Sequence, residues 1–82
     1  TSVYNEGVVL WNAGKFVEAE AAFKKASELD PKKAIAFYQL GMTQVNLGKI
    51  PEAVKSLEAF LALSPKGPEV DQAKAMLLAT KK

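Results

Sequence analysis

The chain has 82 residues, enough for one small domain, and its hydrophobic fraction of 49% is ordinary for a folded protein. Its 11 basic and 9 acidic residues leave a formal charge of +2, too near balance to expect nucleic acid or a membrane as partner. Cysteine and histidine are both missing, which excludes disulfides and thiol nucleophiles, removes the commonest general base and metal ligand, and leaves the compartment open.

No apolar run approaches the roughly 20 residues of a membrane span, and no basic-then-apolar leader is visible. The sequence begins at Thr1, already close to a helical pattern, and reads as a piece of a longer protein.

Thr1 and Ser2 are good N-cap types. Behind them Val3, Gly7 and Leu10, and beside these Tyr4, Val8 and Trp11, recur at helical spacing. Asn12-Ala13-Gly14 ends this first helix, since glycine accepts positive φ. A second helix is predicted from about Lys15 to Leu29, with Phe16, Ala19, Phe23 and Ala26 as its core stripe. Glu18 and Glu20 lie near its start and Lys24 and Lys25 nearer its end, which suits the helix dipole. Asp30-Pro31 closes it.

The third helix is expected to start between Pro31 and Lys33, with proline in its first turn. Ile35, Tyr38, Met42 and Val45 share one side of it, Phe37, Leu40, Gly41 and the aliphatic part of Gln44 the next. Asn46-Leu47-Gly48 repeats the earlier stop. A fourth helix starts near Ile50-Pro51, with Ala53, Leu57 and Phe60 as its stripe, and runs to the breaker cluster Ser64-Pro65-Lys66-Gly67-Pro68. A last helix, from about Pro68 to Thr80, is apolar at Val70, Ala73, Met76 and Leu77 and polar elsewhere, as the end of a stacked array requires.

Sliding the sequence by 34 residues aligns roughly ten identical positions. Tyr4 meets Tyr38, Gly7 meets Gly41, Asn12 meets Asn46 and Gly14-Lys15 meets Gly48-Lys49. Glu18-Ala19 meets Glu52-Ala53, Leu29 meets Leu63, and Pro31-Lys32 meets Pro65-Lys66. The pattern resembles the tetratricopeptide repeat family, with Gly7, Ala19, Phe23, Ala26 and Pro31 in the family's places in one unit and Gly41, Ala53, Leu57, Phe60 and Pro65 in the next. The resemblance implies an all-α fold: antiparallel helix-turn-helix repeats stacked as a short right-handed α-solenoid of five helices. Residues 1–33 and 34–67 would be its two repeats and 68–82 a capping helix within one domain. The glycines should let the two helices of a pair approach closely, with Phe23 and Leu57 filling the space between neighbouring pairs. Five positions depart from the pattern. Val3 and Glu6 replace an aromatic and a large aliphatic residue. Leu10 and Gln44 stand where an aromatic is usual, and Phe60 where a small residue is. Glu6 implies that little packs on that side of the first helix.

In such repeats the first helix of each pair lines the concave face. The implied partner-binding residues are Tyr4, Asn5, Val8, Trp11 and Asn12, then Tyr38, Gln39, Met42, Val45 and Asn46, then Met76 beside Gln72 and Ala73. Aromatic anchors, adaptable methionines and amide side chains suit a partner peptide or helix. The alternatives are that the stripe is internal core, or that it covers itself in a homodimer, face to face or by helix exchange. A subclass of the family clamps the C-terminal carboxylate of chaperone tails with Lys, Asn and Arg. Tyr4, Val8, Gln39, Glu69 and Ala73 stand at those places, so chaperone-tail capture is not expected.

Lys24-Lys25 and Lys32-Lys33 read as solubilising charge. Glu18, Glu20 and Glu28 read as a solvated face rather than an acid–base set. Gly14-Lys15 and Gly48-Lys49 lack the strand and further glycines of a phosphate loop. No enzyme activity, cofactor or metal is expected.

Overall fold

A computed structural model describes residues 3–63 and 67–80. They form α1 (Val3–Asn12), α2 (Phe16–Leu29), α3 (Ala34–Asn46), α4 (Ile50–Leu63) and α5 (Pro68–Thr80), with no strand among the described residues. The expected N-cap at Thr1 and Ser2, and Ser64, Pro65 and Lys66 of the breaker cluster, lie outside them. Each helix packs on the next in chain order, so the array grows by stacking.

The two stops repeat in detail. Gly14 (φ 79°) donates its N–H to the Trp11 carbonyl at 2.9 Å, and the Lys15 N–H reaches the Leu10 carbonyl at 2.9 Å. Gly48 (φ 78°) bonds Val45 at 3.1 Å, and Lys49 bonds Gln44 at 2.9 Å. This crossed pair satisfies carbonyls that the last helical turn leaves open, and it requires a left-handed residue at the glycine.

Pro31 differs from expectation. The Lys33 N–H donates to the Asp30 carbonyl at 3.0 Å, and helix begins only at Ala34, after an extended Lys33 (φ −82°, ψ 91°). Pro31 therefore sits inside a tight turn, where its fixed φ is equally at home, and not in the first turn of α3. Pro51 does lie in the first turn of α4.

Two apolar clusters hold the stack. Ala19, Phe23 and Leu40 are buried together, with Tyr4, Val8, Leu10 and Trp11 packed around them. Tyr38, Leu57, Phe60, Val70, Ala73 and Leu77 form the second, flanked by Met42, Val54, Leu61 and Met76. Leu40 of α3 reaches into the first cluster and Tyr38 into the second, so α3 ties the units together. A β-carbon on Gly41 would stand 2.8 Å from Cγ of Leu57, so the close approach is between the two helices of one pair. Phe60 replaces the small Ala26 of the first unit, and it fills the layer beneath α5 beside Val70, Ala73 and Leu77.

Candidate partner-binding face

The face of interest is built by spacing. Tyr4, Val8 and Trp11 lie three and four residues apart on α1, hence on one side of it. The same register returns as Tyr38, Met42 and Val45 on α3, and as Gln72, Met76 and Ala79 on α5. The structure places these side chains at different depths.

Tyr4 is half-buried. Its ring lies 5.6 Å from that of Phe23, tilted by 54°, and the Lys33 Nζ sits 4.6 Å from its centroid. Phe23 thus supports one part of the ring and a cation sits over its face, an attraction between charge and ring quadrupole. Lys33 is therefore more than solubilising charge, whereas Lys24, Lys25 and Lys32 are exposed as expected. Trp11, also half-buried, meets Phe16 edge to face at 4.9 Å and 75°. Val8 packs beside them.

Tyr38 lies deeper, at 8% exposure. Its ring packs on that of Phe60 at 5.2 Å, tilted by 50°, and its hydroxyl donates to Gln72 Oε1 at 2.5 Å. Burial first, and the Glu69 charge second, push its phenol above 10.0. The ring is core, and its hydroxyl fastens α5 to α3. It thus lies deeper than Tyr4. Gln39, Met42, Val45 and Met76 are half-buried, and Met42 and Met76 lean on the second cluster.

The amides spread apart. Asn12 is exposed at the end of α1. Asn46 is exposed too, and its Nδ2 donates back to the Met42 carbonyl at 3.1 Å. Asn5 lines a different surface, a groove with Glu6, Val9, Leu10 and Ala22. The large hydrophobics left most open are also elsewhere: Val9, Val17, Leu29 and Leu78 are each exposed by 65% or more.

The sequence matches the profile described as Tetratricopeptide repeat over residues 4–78. The chain belongs to the tetratricopeptide repeat family. Among solved structures it is similar to the second TPR domain of the human RPAP3 protein, determined by NMR in complex with the HSP70 peptide SGPTIEEVD. That likeness has a TM-score of 0.83 and 30% identity, and covers 98% of this chain and 64% of the other. The tetratricopeptide chain thus spans less than two thirds of that structure's length. No curated protein matches.

The joint between the repeats holds a polar group that residue types had not revealed. Glu20 of α2 accepts from Lys49 Nζ at 2.8 Å and from Gln44 Nε2 at 3.3 Å. Gln44 Oε1 in turn accepts the Ser56 hydroxyl at 2.7 Å. Burial raises the Glu20 carboxyl, but the hydrogen bonds from Lys49 and Gln44, with the Lys49 and Lys24 charges, outweigh it and hold it below its usual value. The Glu20 bond lifts Lys49 above its own. The departure at Gln44 was the available signal: an amide in an apolar place needs partners on the helix opposite.

Proposed function

We propose that this tetratricopeptide chain is a protein-interaction module that holds a partner's peptide or helix along the face shared by α1, α3 and α5. What carries the reading is the recurrence of half-buried Tyr4, Val8, Trp11, Met42, Val45 and Met76 in one register on three parallel-indexed helices. Half-buried rings are held in place beforehand, so little side-chain freedom is lost on binding. Tyr4 and Trp11 are the anchors, Met42 and Met76 adapt to shape, and Gln39, Asn12 and Asn46 orient a backbone. Tyr38 supports the floor through Gln72. No catalytic role is assigned to any of them. The RPAP3 domain's HSP70 peptide supports a peptide as the class of partner. The side chains Tyr4, Val8, Gln39, Glu69 and Ala73 favour an apolar one.

Selection of a displayed peptide library on the chain, followed by NMR mapping of the winners, tests the reading. Shifts should centre on Tyr4, Val8, Trp11 and Met42, and the joint variant Trp11→Ala, Met42→Ala should lose binding while retaining helicity. Winners that map to other surfaces would refute it. Exchange of α5 between two copies is the rival, since of the helix pairs adjacent in the chain α4 and α5 pack the least closely. Light scattering separates them: a monomer that binds peptide leaves no place for the dimer.

A further inference from the structure

Glu69 and Gln72 stand three residues apart in α5 and share one side of it. Gln72 Oε1 accepts the Tyr38 hydroxyl, so this side of α5 joins the row of Tyr38, Met42 and Val45 on α3. Burial first and the Glu69 charge second raise the Tyr38 phenol, which puts the Glu69 carboxylate within electrostatic reach of that hydroxyl. Asp71 occupies the same first turn but is exposed, whereas Glu69 is half-buried. Acids suit a helix N-terminus wherever they point. Glu69 in addition gives the α1–α3–α5 face a negative end.

Hydrogen-bonding capacity decides what that end can receive. The Tyr38 hydroxyl already donates its proton, so its oxygen is left as an acceptor. An ionised carboxylate is acceptor-only, and Glu69 forms no ion pair among the described residues. Gln72 is exposed, and its amide N–H groups suit a backbone carbonyl. Charge and acceptors together select an ammonium or guanidinium group, and Glu69 repels an acidic one.

The opposite end has the opposite sign. Lys33 Nζ lies 4.6 Å from the centre of the Tyr4 ring, so a second cation there would meet like charge. Val8, Met42, Val45 and Met76, between the two ends, carry no charge. Resting on the reading of this face as a peptide site, we infer that its occupant is an apolar peptide with one lysine or arginine, whose cation is received at α5 by Glu69 beside Tyr38 and Gln72. Glu69 thereby sets both the charge that the peptide carries and the end of the face at which that charge lies.

The probe is a displayed library of peptides as long as SGPTIEEVD, random among apolar residues except for one Lys, Gln or Glu at a varied place. On the wild-type chain, lysine members should be enriched over glutamate members. On Glu69→Lys the order should invert, and on Asp71→Asn, a change at an exposed acid of the same turn, it should stay as in the wild type. The winning lysine peptide is then synthesised with blocked ends and a fluorescent label. Replacing its lysine by glutamine should weaken binding by about three- to fivefold, and by glutamate about tenfold or more. In the isotope-labelled full chain the glutamine peptide should lose the shifts at Glu69 and Gln72 and keep those at Val8 and Met42. Equal enrichment of the three classes, with winners that still shift Val8, Trp11 and Met42, would overturn the cation site and leave the peptide face standing. Winners that shift only other surfaces would overturn both. A lysine preference that persists in Glu69→Lys would place the cation elsewhere and overturn the role of Glu69.

Discussion

A β-carbon on Gly7 would lie 2.7 Å from Cε1 of Phe23, closer than real β-carbons come to a neighbour. Phe23 is fully buried, so its ring has no room to retreat. Gly7→Ala should therefore destabilise the chain by about 1–3 kcal/mol, although alanine is the better helix former. Denaturant unfolding measures this. Adding Phe23→Leu should recover part of the loss, because it shortens the side chain in the way. Equal losses for the single and double variants would mean that the ring is not the obstacle.

That contact also marks how far the sequence could be read. The offset between Gly7 and Gly41, with Ala19 and Phe23 answered by Ala53 and Leu57, was enough for the helices and their pairing, because each is a local steric requirement met twice. Depth was harder to read. Tyr4 and Tyr38 are identical in register, yet one is half-buried and the other is core. The difference comes from Phe60, whose ring meets that of Tyr38 where the first unit has the small Ala26, and from Gln72 of α5, which accepts the Tyr38 hydroxyl. Periodicity shows which side a residue faces, but not what lies above it. Glu20 was misread for a related reason. Its position near a helix start explained it adequately until Gln44 and Lys49 were brought to it from other elements.

The Glu20 pairing makes stability depend on pH in a fixed direction. Its carboxyl is held below the ordinary 4.5, so the unfolded chain takes up the proton first on acidification. The stabilisation is present above pH 4.5 and is lost as the pH falls through the depressed folded value. Glu20→Gln should flatten this acid arm while leaving other carboxylates to titrate. Lys49 is raised, so its share is present below 10.5 and is lost as the pH rises through the folded value. Both arms report one contact, so Lys49→Met should weaken the acid arm as well. Unfolding midpoints across pH check this, and an acid arm unchanged in Glu20→Gln would remove Glu20 as its source.

Leu57 and Leu78 should respond very differently to truncation. Leu57 is 0% exposed and packs against Gly41, with Tyr38 and Phe60 in the same cluster. Leu57→Ala loses both buried surface and close packing, a cost of about 2–5 kcal/mol. Leu78 is 73% exposed, and Leu78→Ala should change stability by less than about 0.5 kcal/mol. Thermal and denaturant unfolding of the two variants compares them directly. A large loss at Leu78 would mean that its side chain is covered in solution, and would direct attention to self-association through α5.

The peptide SGPTIEEVD offers a test of what kind of partner the proposed α1–α3–α5 face would take. It carries three side-chain carboxylates and a C-terminal one, and gripping such a tail by charge requires cations. The places that the family resemblance gives to the clamp for the C-terminal carboxylate hold Tyr4, Val8, Gln39, Glu69 and Ala73 here, one of them itself acidic. Lys33 does bring a cation to this face, but its Nζ is already placed over the Tyr4 ring. At about 0.15 M salt, where exposed charges are screened beyond roughly 8 Å, a labelled SGPTIEEVD should give no saturable change in anisotropy. A peptide of similar length with aromatic and aliphatic residues in place of the acids should bind better, and its binding should vary little with salt. Lys33→Ala should affect neither result strongly. Tight, salt-sensitive binding of SGPTIEEVD that depends on Lys33 would show instead that charge recognition governs this face and that its aromatic residues serve mainly to hold the helices together.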